Sequence, residues 1–254
     1  MDIQITIRRR SSLSEPIEKF SEALLLMLLD VPGLCKPDAT ASQARLVLSE
    51  GHERGNLDFS RLMQRGIKNA SIAFSGRYPS LINLDSARSD DFINLHPQED
   101  FLRANPTFFS DTLPCLIEVF DAYRLELLSD AAITIADFKL VQDLYDPRMP
   151  EIRDRISGRA KIQRVWPVMY ADNILCQRTF GLDAIEVVRR AAPACKLAQV
   201  IANGAYLVVT TEIITGADAL NTLHTKIVRL IQPDWNDYIT QAAEIQIQKE
   251  GTRL

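Results

Sequence analysis

Two short apolar runs on either side of Asn203-Gly204 constrain the fold of this chain more narrowly than any other feature. The runs cover residues 197 to 201 and 206 to 211. Asn-Gly is strongly preferred in two-residue hairpin turns, because both central residues of a type I′ turn need a positive φ. The sequence therefore predicts a β-hairpin here, and with it an antiparallel sheet.

The rest of the chain predicts short strands and amphipathic helices without a regular βαβ rhythm. Ile3, Ile5 and Ile7 alternate with polar residues, which is typical of a strand with one buried and one solvent-exposed face. Apolar residues at helical spacing predict a helix over residues 14 to 30. The predicted class is α+β, with mainly antiparallel sheet packed by amphipathic helices. Further strands are predicted at 44–48, 70–75, 81–84 and 162–169, and further helices at 58–65, 111–128, 173–180, 182–192 and 216–231.

Domain organisation is predicted from a charged, proline-containing connector at residues 143–158. It separates an N-terminal α+β subdomain, residues 1–142, from a C-terminal α+β subdomain, residues 159–254. Residues 78–106 are polar and contain three prolines. In this stretch the N-terminal subdomain is expected to carry a long acidic surface loop, which follows the strand predicted at 81–84. One continuous domain remains an alternative.

Charge is distributed unevenly along the chain. The segment from Asp85 to Glu151 holds 14 acidic and 5 basic side chains, whereas the rest holds 19 acidic and 24 basic ones. An acidic field repels nucleic acid and attracts basic protein surfaces, so we expect a partner with a basic surface. A solvated surface without a partner is the alternative. The predicted partner-binding residues are Asp85, Asp90, Asp91, Phe92, Glu99, Asp100, Phe101, Asp143, Tyr145, Asp146 and Glu151.

Motifs for enzyme chemistry are missing from the sequence. It contains neither a phosphate-binding loop nor a dinucleotide-binding turn. Its cysteines are 80, 61 and 19 positions apart, which matches no zinc site, so buried, reduced thiols are expected. We therefore predict no catalytic residue, cofactor or metal. The alternative is a small metal-dependent hydrolase that uses His96 with the pairs Asp90–Asp91 and Glu99–Asp100.

The localisation expected from the sequence is the cytoplasm. The longest apolar run has seven residues, far short of the roughly 18 needed to span a bilayer. At the N-terminus the apolar residues precede the arginines at positions 8 to 10, the reverse of a secretory signal. We expect no membrane partner, and the oligomeric state stays open.

Three stretches of the C-terminal third resemble a known family. They are residues 165–171 (VWPVMYA), 175–181 (LCQRTFG) and 198–211 (AQVIANGAYLVVTT). Together they resemble the immunity protein 52 family of bacterial polymorphic-toxin systems. That resemblance implies a cytoplasmic antitoxin without catalytic residues, which binds a toxin delivered between bacteria, often by type VI secretion. It also implies that the toxin has a restriction-endonuclease fold, and the acidic segment would then cover the basic cleft of a nuclease.

Overall fold

The computed structural model describes residues 3–10, 16–51, 55–74, 90–129, 162 and 164–235. These residues form eight strands and seven α-helices, and every strand pairing with a described register is antiparallel. The predicted α+β class is confirmed. The chain divides into two compact units, Asp2–Glu126 and, together with Met1, Leu127–Leu254. The predicted connector at 143–158 lies outside the described residues.

The N-terminal unit contains five strands and four α-helices, and its strands follow the order β2-β3-β4-β1-β5. A 3₁₀ turn covers Ser60–Leu62, and a π-helical turn covers Phe108–Thr112. The strands are β1 (Ile3–Arg10), β2 (Asn56–Asp58), β3 (Ile67–Phe74), β4 (Asp90–Pro97) and β5 (Arg124–Ser129), of which β5 continues into the second unit. The helices are α1 (Ile17–Leu29), α2 (Ala41–Ser49), α3 (Glu99–Ala104) and α4 (Leu113–Val119).

The sheet of this unit has one buried face and one half-exposed face. The predicted strand near the N-terminus is confirmed as β1, whose three isoleucines are buried. Ile5 and Ile7 lie opposite the buried Leu95 and Ile93 of β4. Helix α1 packs on this face, since the ring of Phe20 contacts Phe74 edge-to-face at 6.1 Å between centroids. The alternation in the sequence therefore marks the core face correctly.

Residues 44–48, predicted as a strand, belong to helix α2 instead. The helix is fixed by a capping box, in which Thr40 Oγ1 accepts from Gln43 N–H and Gln43 Oε1 accepts from Thr40 N–H. Its buried residues Ala44 and Val47 are three positions apart, as on one helix face. The apolar run suggested a strand because Leu46, which is exposed, interrupts the helical spacing.

The helix predicted over 111–128 is wrong at both ends. It begins as the π-helical turn at 108–112, and α4 ends at Val119. Asp121 has a φ of 52°, and the N–H groups of Asp121 and Ala122 donate to the carbonyls of Glu118 and Ile117. This is a Schellman ending. It was missed because the left-handed position holds aspartate instead of glycine, and the following residues form β5.

The structure also corrects the prediction of an acidic loop within residues 78–106, for those of its residues that the structure describes. Residues 90–97 form β4, which lies between β1 and β3 in the sheet, and α3 follows directly. The ring of Phe101 on α3 packs so close to Gly66 that a Cβ at Gly66 would lie 2.7 Å from the Phe101 Cβ. The strand expected at 81–84 lies outside the described residues.

The C-terminal unit follows the sequence prediction more closely. Its strand order is β6-β8-β7, and the two adjacent helices predicted on either side of Gly181, the hairpin and the last helix are all present. Asp172 and Asp183 cap the two adjacent helices through their side chains. The elements are β6 (Val168–Asp172), α5 (Asn173–Phe180), α6 (Ala184–Ala191), β7 (Leu197–Ile201), β8 (Gly204–Val208) and α7 (Ala217–Ile231).

The strand predicted at 162–169 begins only at Val168, because side chains hold the preceding residues outside the sheet. Ile162 N–H donates to Thr179 Oγ1, and Val165 N–H donates to His224 Nδ1 at 2.9 Å. His224 is buried on α7, and this hydrogen bond gives its Nδ1 a partner inside the unit.

The hairpin turn is shifted by one residue from the predicted position. Ala202 and Asn203 occupy the two positive-φ positions, at 45° and 59°, and Gly204 begins β8. A Cβ at Gly204 would lie 2.5 Å from the ring of Tyr170, whose hydroxyl donates to the Ala202 carbonyl. Gly204 is therefore required for the close approach of Tyr170 and not for the turn.

The turn assignment predicts opposite effects for two neighbouring substitutions. Gly204→Ala should destabilise the protein by about 1–3 kcal/mol, because the added methyl group collides with Tyr170. Ala202→Gly should stabilise it by up to about 1 kcal/mol, because glycine adopts a positive φ without steric cost. Urea unfolding followed by circular dichroism measures both. If Gly204→Ala were neutral and Ala202→Gly destabilising, Asn203-Gly204 would be the turn after all.

Candidate functional site

The described part of the acid-rich sequence includes a helical surface segment. Residues 99–121, which we call the acidic helical segment, contain five acidic side chains and one basic one. All five carboxylates belong to exposed residues on or beside α3, the π-helical turn and α4. They are Glu99, Asp100, Asp111, Glu118 and Asp121.

The single arginine of this segment neutralises only a small part of its charge. Arg103 Nη2 lies 2.6 Å from Glu99 Oε1, and its Nη1 lies 3.7 Å from Asp100 Oδ1. The Asp100 side chain is 96% exposed, so solvent screens the second contact strongly. Two of the predicted partner-binding residues, Glu99 and Asp100, are thus on the surface.

Asp90 is buried, contrary to its prediction as a residue facing a partner. It is only 7% exposed and accepts a hydrogen bond from the Tyr123 hydroxyl. Arg10 lies opposite Asp90 across the β1–β4 pair and stacks over the Tyr123 ring at 4.3 Å. Burial and the adjacent Asp90 carboxylate both raise the pKa of Tyr123. Asp90 therefore belongs to an internal polar network.

Asp91 and Phe101 are buried as well. Asp91 is fully buried and lies opposite Arg9, whose guanidinium stacks over the Phe20 ring at 4.0 Å. Phe101 packs edge-to-face against Phe108 with 5.4 Å between ring centroids. Neither side chain is available to a partner, because both stabilise the unit from within.

Phe92 is half-buried on the half-exposed face of the N-terminal sheet. It lies opposite Arg8, whose guanidinium is 5.7 Å from the Phe92 ring centroid. Two positions further along the strands, Asn94 Oδ1 accepts from Gln4 Nε2 and Thr6 Oγ1, each at 3.0 Å. This arrangement places an arginine–aromatic pair beside a hydrogen-bonded polar network, and both arginine and aromatic residues are enriched in protein interfaces.

The other predicted partner-binding residues cannot be placed in the fold. Asp85, Asp143, Tyr145, Asp146 and Glu151 lie outside the described residues.

The groups named for the alternative hydrolase are not gathered into a site. His96 lies in β4, six residues from Asp90, a separation of about 20 Å along a strand. Asp90 and Asp91 point to opposite faces of the same strand. Within the described ranges, no cluster of three or more His, Cys, Asp or Glu side chains could hold a metal ion. The hydrolase alternative is not favoured.

The four cysteines are free thiols, and Cys35 and Cys176 are buried, as predicted. Cys115 and Cys195 are only half-buried. Burial raises the thiol pKa of Cys35 to about 11 and of Cys176 to about 12. Burial also raises the pKa of the Cys195 thiol to about 11. Such thiols hold little thiolate at neutral pH and are therefore poor nucleophiles.

Comparison with known proteins shows a relationship of fold alone. No known protein family and no curated protein matches the sequence. Among solved structures, the chain is similar to the Pseudomonas aeruginosa T6SS protein PA0821, with a TM-score of 0.50 and 10% sequence identity. The match covers 91% of this chain and 76% of that protein.

One structural observation bears on the expectation that no segment of the sequence spans a membrane. In the part of the chain that the structure describes, no helix combines the length and hydropathy that crossing a membrane requires.

Sequence reasoning missed Arg8, Glu118 and Asp121 as surface candidates. In the sequence the three arginines at positions 8–10 are only a basic run at the end of a predicted strand. In the structure each guanidinium lies over a different aromatic ring. Glu118 and Asp121 were inside the predicted long helix. The helical spacing predicted the buried face of that region but not its early end.

The internal role of Asp90 predicts a loss of stability on substitution. Asp90→Ser should reduce the free energy of unfolding by about 2–3 kcal/mol, because the buried Tyr123 hydroxyl loses its carboxylate acceptor. The matched surface change Asp100→Ser should stay within about 0.5 kcal/mol. Urea unfolding measures both, and equal effects would contradict the distinction between the two carboxylates.

Proposed function

We propose that the protein is a non-enzymatic immunity protein, an antitoxin that binds and neutralises a cognate nuclease toxin delivered between bacteria. The observation that carries this proposal is the acidic helical segment, with five exposed carboxylates and one arginine in 23 residues. In this proposal the protein acts in the cytoplasm, and neither nucleic acid nor a membrane is its partner.

Charge complementarity supports a basic partner. A nuclease needs a basic cleft to bind phosphates, and exposed carboxylates are attracted to such a cleft. Complementary potentials raise association rates up to about 10⁸–10⁹ M⁻¹s⁻¹ at low salt. The acidic helical segment would thus steer the encounter with the toxin, while affinity depends on a few packed anchors. The Arg8–Phe92 pair is the anchor we propose, since arginine and aromatic residues dominate such contacts.

Two further observations are compatible with this function. The fold is shared with a protein described as a T6SS protein, and the resemblance of the C-terminal third implies toxin systems often delivered by type VI secretion. The candidate hydrolase residues are not gathered into one site, and three of the four thiols have pKa values near 11 to 12. The separation of the candidate hydrolase residues and the raised pKa values of the thiols favour a binding protein over an enzyme.

The test is recovery of the partner from the source cell. The tagged protein serves as bait at physiological salt, and the bound fraction is identified by mass spectrometry. We expect one basic, nuclease-like protein, encoded next to this chain, which is toxic when expressed alone and harmless when co-expressed with it. A stoichiometric metabolite in place of any such protein would contradict the proposal.

Removing charge from the acidic helical segment should slow binding of that toxin. We expect the triple variant Asp100→Asn, Glu118→Gln, Asp121→Asn to reduce the association rate constant about tenfold at low salt and to weaken its salt dependence. The changes preserve side-chain size, so the dissociation rate should change little. Stopped-flow binding measures both rates.

A control of equal charge change separates this surface from net charge. The variant Glu212→Gln, Asp218→Asn, Asp234→Asn removes three exposed carboxylates from the C-terminal unit. It should leave the association rate within about twofold of the unmodified protein, since steering depends on local potential. Equal slowing by both triple variants would show that no particular surface is involved.

A further inference from the structure

The two ends of the described strand order differ in how well they are protected. The edge strand of the N-terminal unit, β2, has only three residues and ends in the charged Asp58. The edge strand of the C-terminal unit, β7, has five residues, with neither charge nor proline among them. Short length and charge protect sheet edges from pairing with other chains. Strand β7 has neither protection along its length.

The hairpin register determines which backbone groups of β7 point outward. Ile201 and Gly204 flank a two-residue turn, so they form a hydrogen-bonded pair. Hydrogen-bonded pairs then recur at every second residue, and Gln199 pairs in the same way with Tyr206. The backbone N–H and C=O groups of the two alternate residues, Ala198 and Val200, therefore point away from β8.

These outward groups are symmetric about Gln199. Consider a second copy of β7 that runs antiparallel to the first, with Gln199 opposite Gln199. Ala198 of each chain then lies opposite Val200 of the other chain, so the two copies form two equivalent residue pairs. Each pair forms two hydrogen bonds, which makes four in total. A twofold axis then passes between the two Gln199 residues. Such an interface is closed and uses the same patch on both chains.

Side chains along β7 are compatible with this pairing. Val200 is 46% exposed, and the pairing would cover it with Ala198 of the second chain. At the other end, Lys196 N–H donates to the Val208 carbonyl, although Leu197 is the residue opposite Val208. Lys196 and Leu197 therefore both lie opposite Val208. This arrangement is a β-bulge, and the regular hydrogen-bonding pattern of β7 ends there. The pairing is therefore limited to the stretch around Gln199.

We propose that two copies of this protein associate through antiparallel pairing of their β7 edges, with the twofold axis at Gln199. The interface is small, so the dimer dissociates on dilution. The proposal does not rest on the antitoxin function, since it uses residues of β7 and none of the acidic helical segment.

Cysteine cross-linking tests the register directly. In the proposed pairing the two residues at position 199 form a non-hydrogen-bonded pair with Cα atoms about 4.5 Å apart, within the range for a disulfide. Full-length Gln199→Cys should form a covalent dimer under mild oxidation. The exposed control Gln177→Cys on α5 should not exceed the unmodified protein, which has its own four cysteines.

Sedimentation equilibrium over a wide concentration range tests the association without cross-linking. The unmodified protein and Val200→Thr should show a monomer–dimer equilibrium. Val200→Lys should raise its dissociation constant at least about tenfold, because the two lysines lie on the same face, diagonally across this small interface, and their like charges repel. A protein that remains monomeric and does not cross-link at position 199 would overturn the proposal and leave the edge to a strand of another protein. A dimer unaffected by Val200→Lys would also overturn it.

Discussion

The antiparallel pairing of β1 with β4 is the constraint on which the N-terminal unit depends. Its register places Ile5 and Ile7 with their partners on the buried face, and it brings Arg9 and Arg10 opposite Asp91 and Asp90. A slip of one residue would send every side chain to the other face of the sheet. The buried carboxylates are thereby matched with guanidinium groups, which in turn stack on aromatic rings. Buried charge is tolerated only with such partners.

This constraint also divides the acidic residues into two groups with different roles. Asp90 and Asp91 contribute to the internal structure of the unit, whereas the carboxylates of the acidic helical segment remain in solvent. A count of charges along the chain treats both groups alike. An electrostatic argument about partners applies only to the second group, because the field of a paired, buried carboxylate is largely compensated. The proposed antitoxin function therefore depends on α3, the π-helical turn and α4.

The C-terminal unit shows how tertiary packing refines a local signal. Asn203-Gly204 predicted the hairpin correctly, and the hairpin is present, but the ring of Tyr170 occupies the space that a side chain at position 204 would need. The turn therefore uses Ala202 and Asn203. The resulting register decides which backbone groups of β7 are free to bond outward, so a shift of one residue changes the surface offered to a second chain.

The sequence by itself determined those elements whose signal is local. Period-two alternation determined β1, and helical spacing determined α1 and α7. Only the tertiary structure decided that residues 44–48 are helical, that α4 ends at Val119 and that Asp90 is buried. The reason is physical: burial and pairing depend on residues distant in sequence, such as Tyr123 for Asp90, and no local pattern reports their approach.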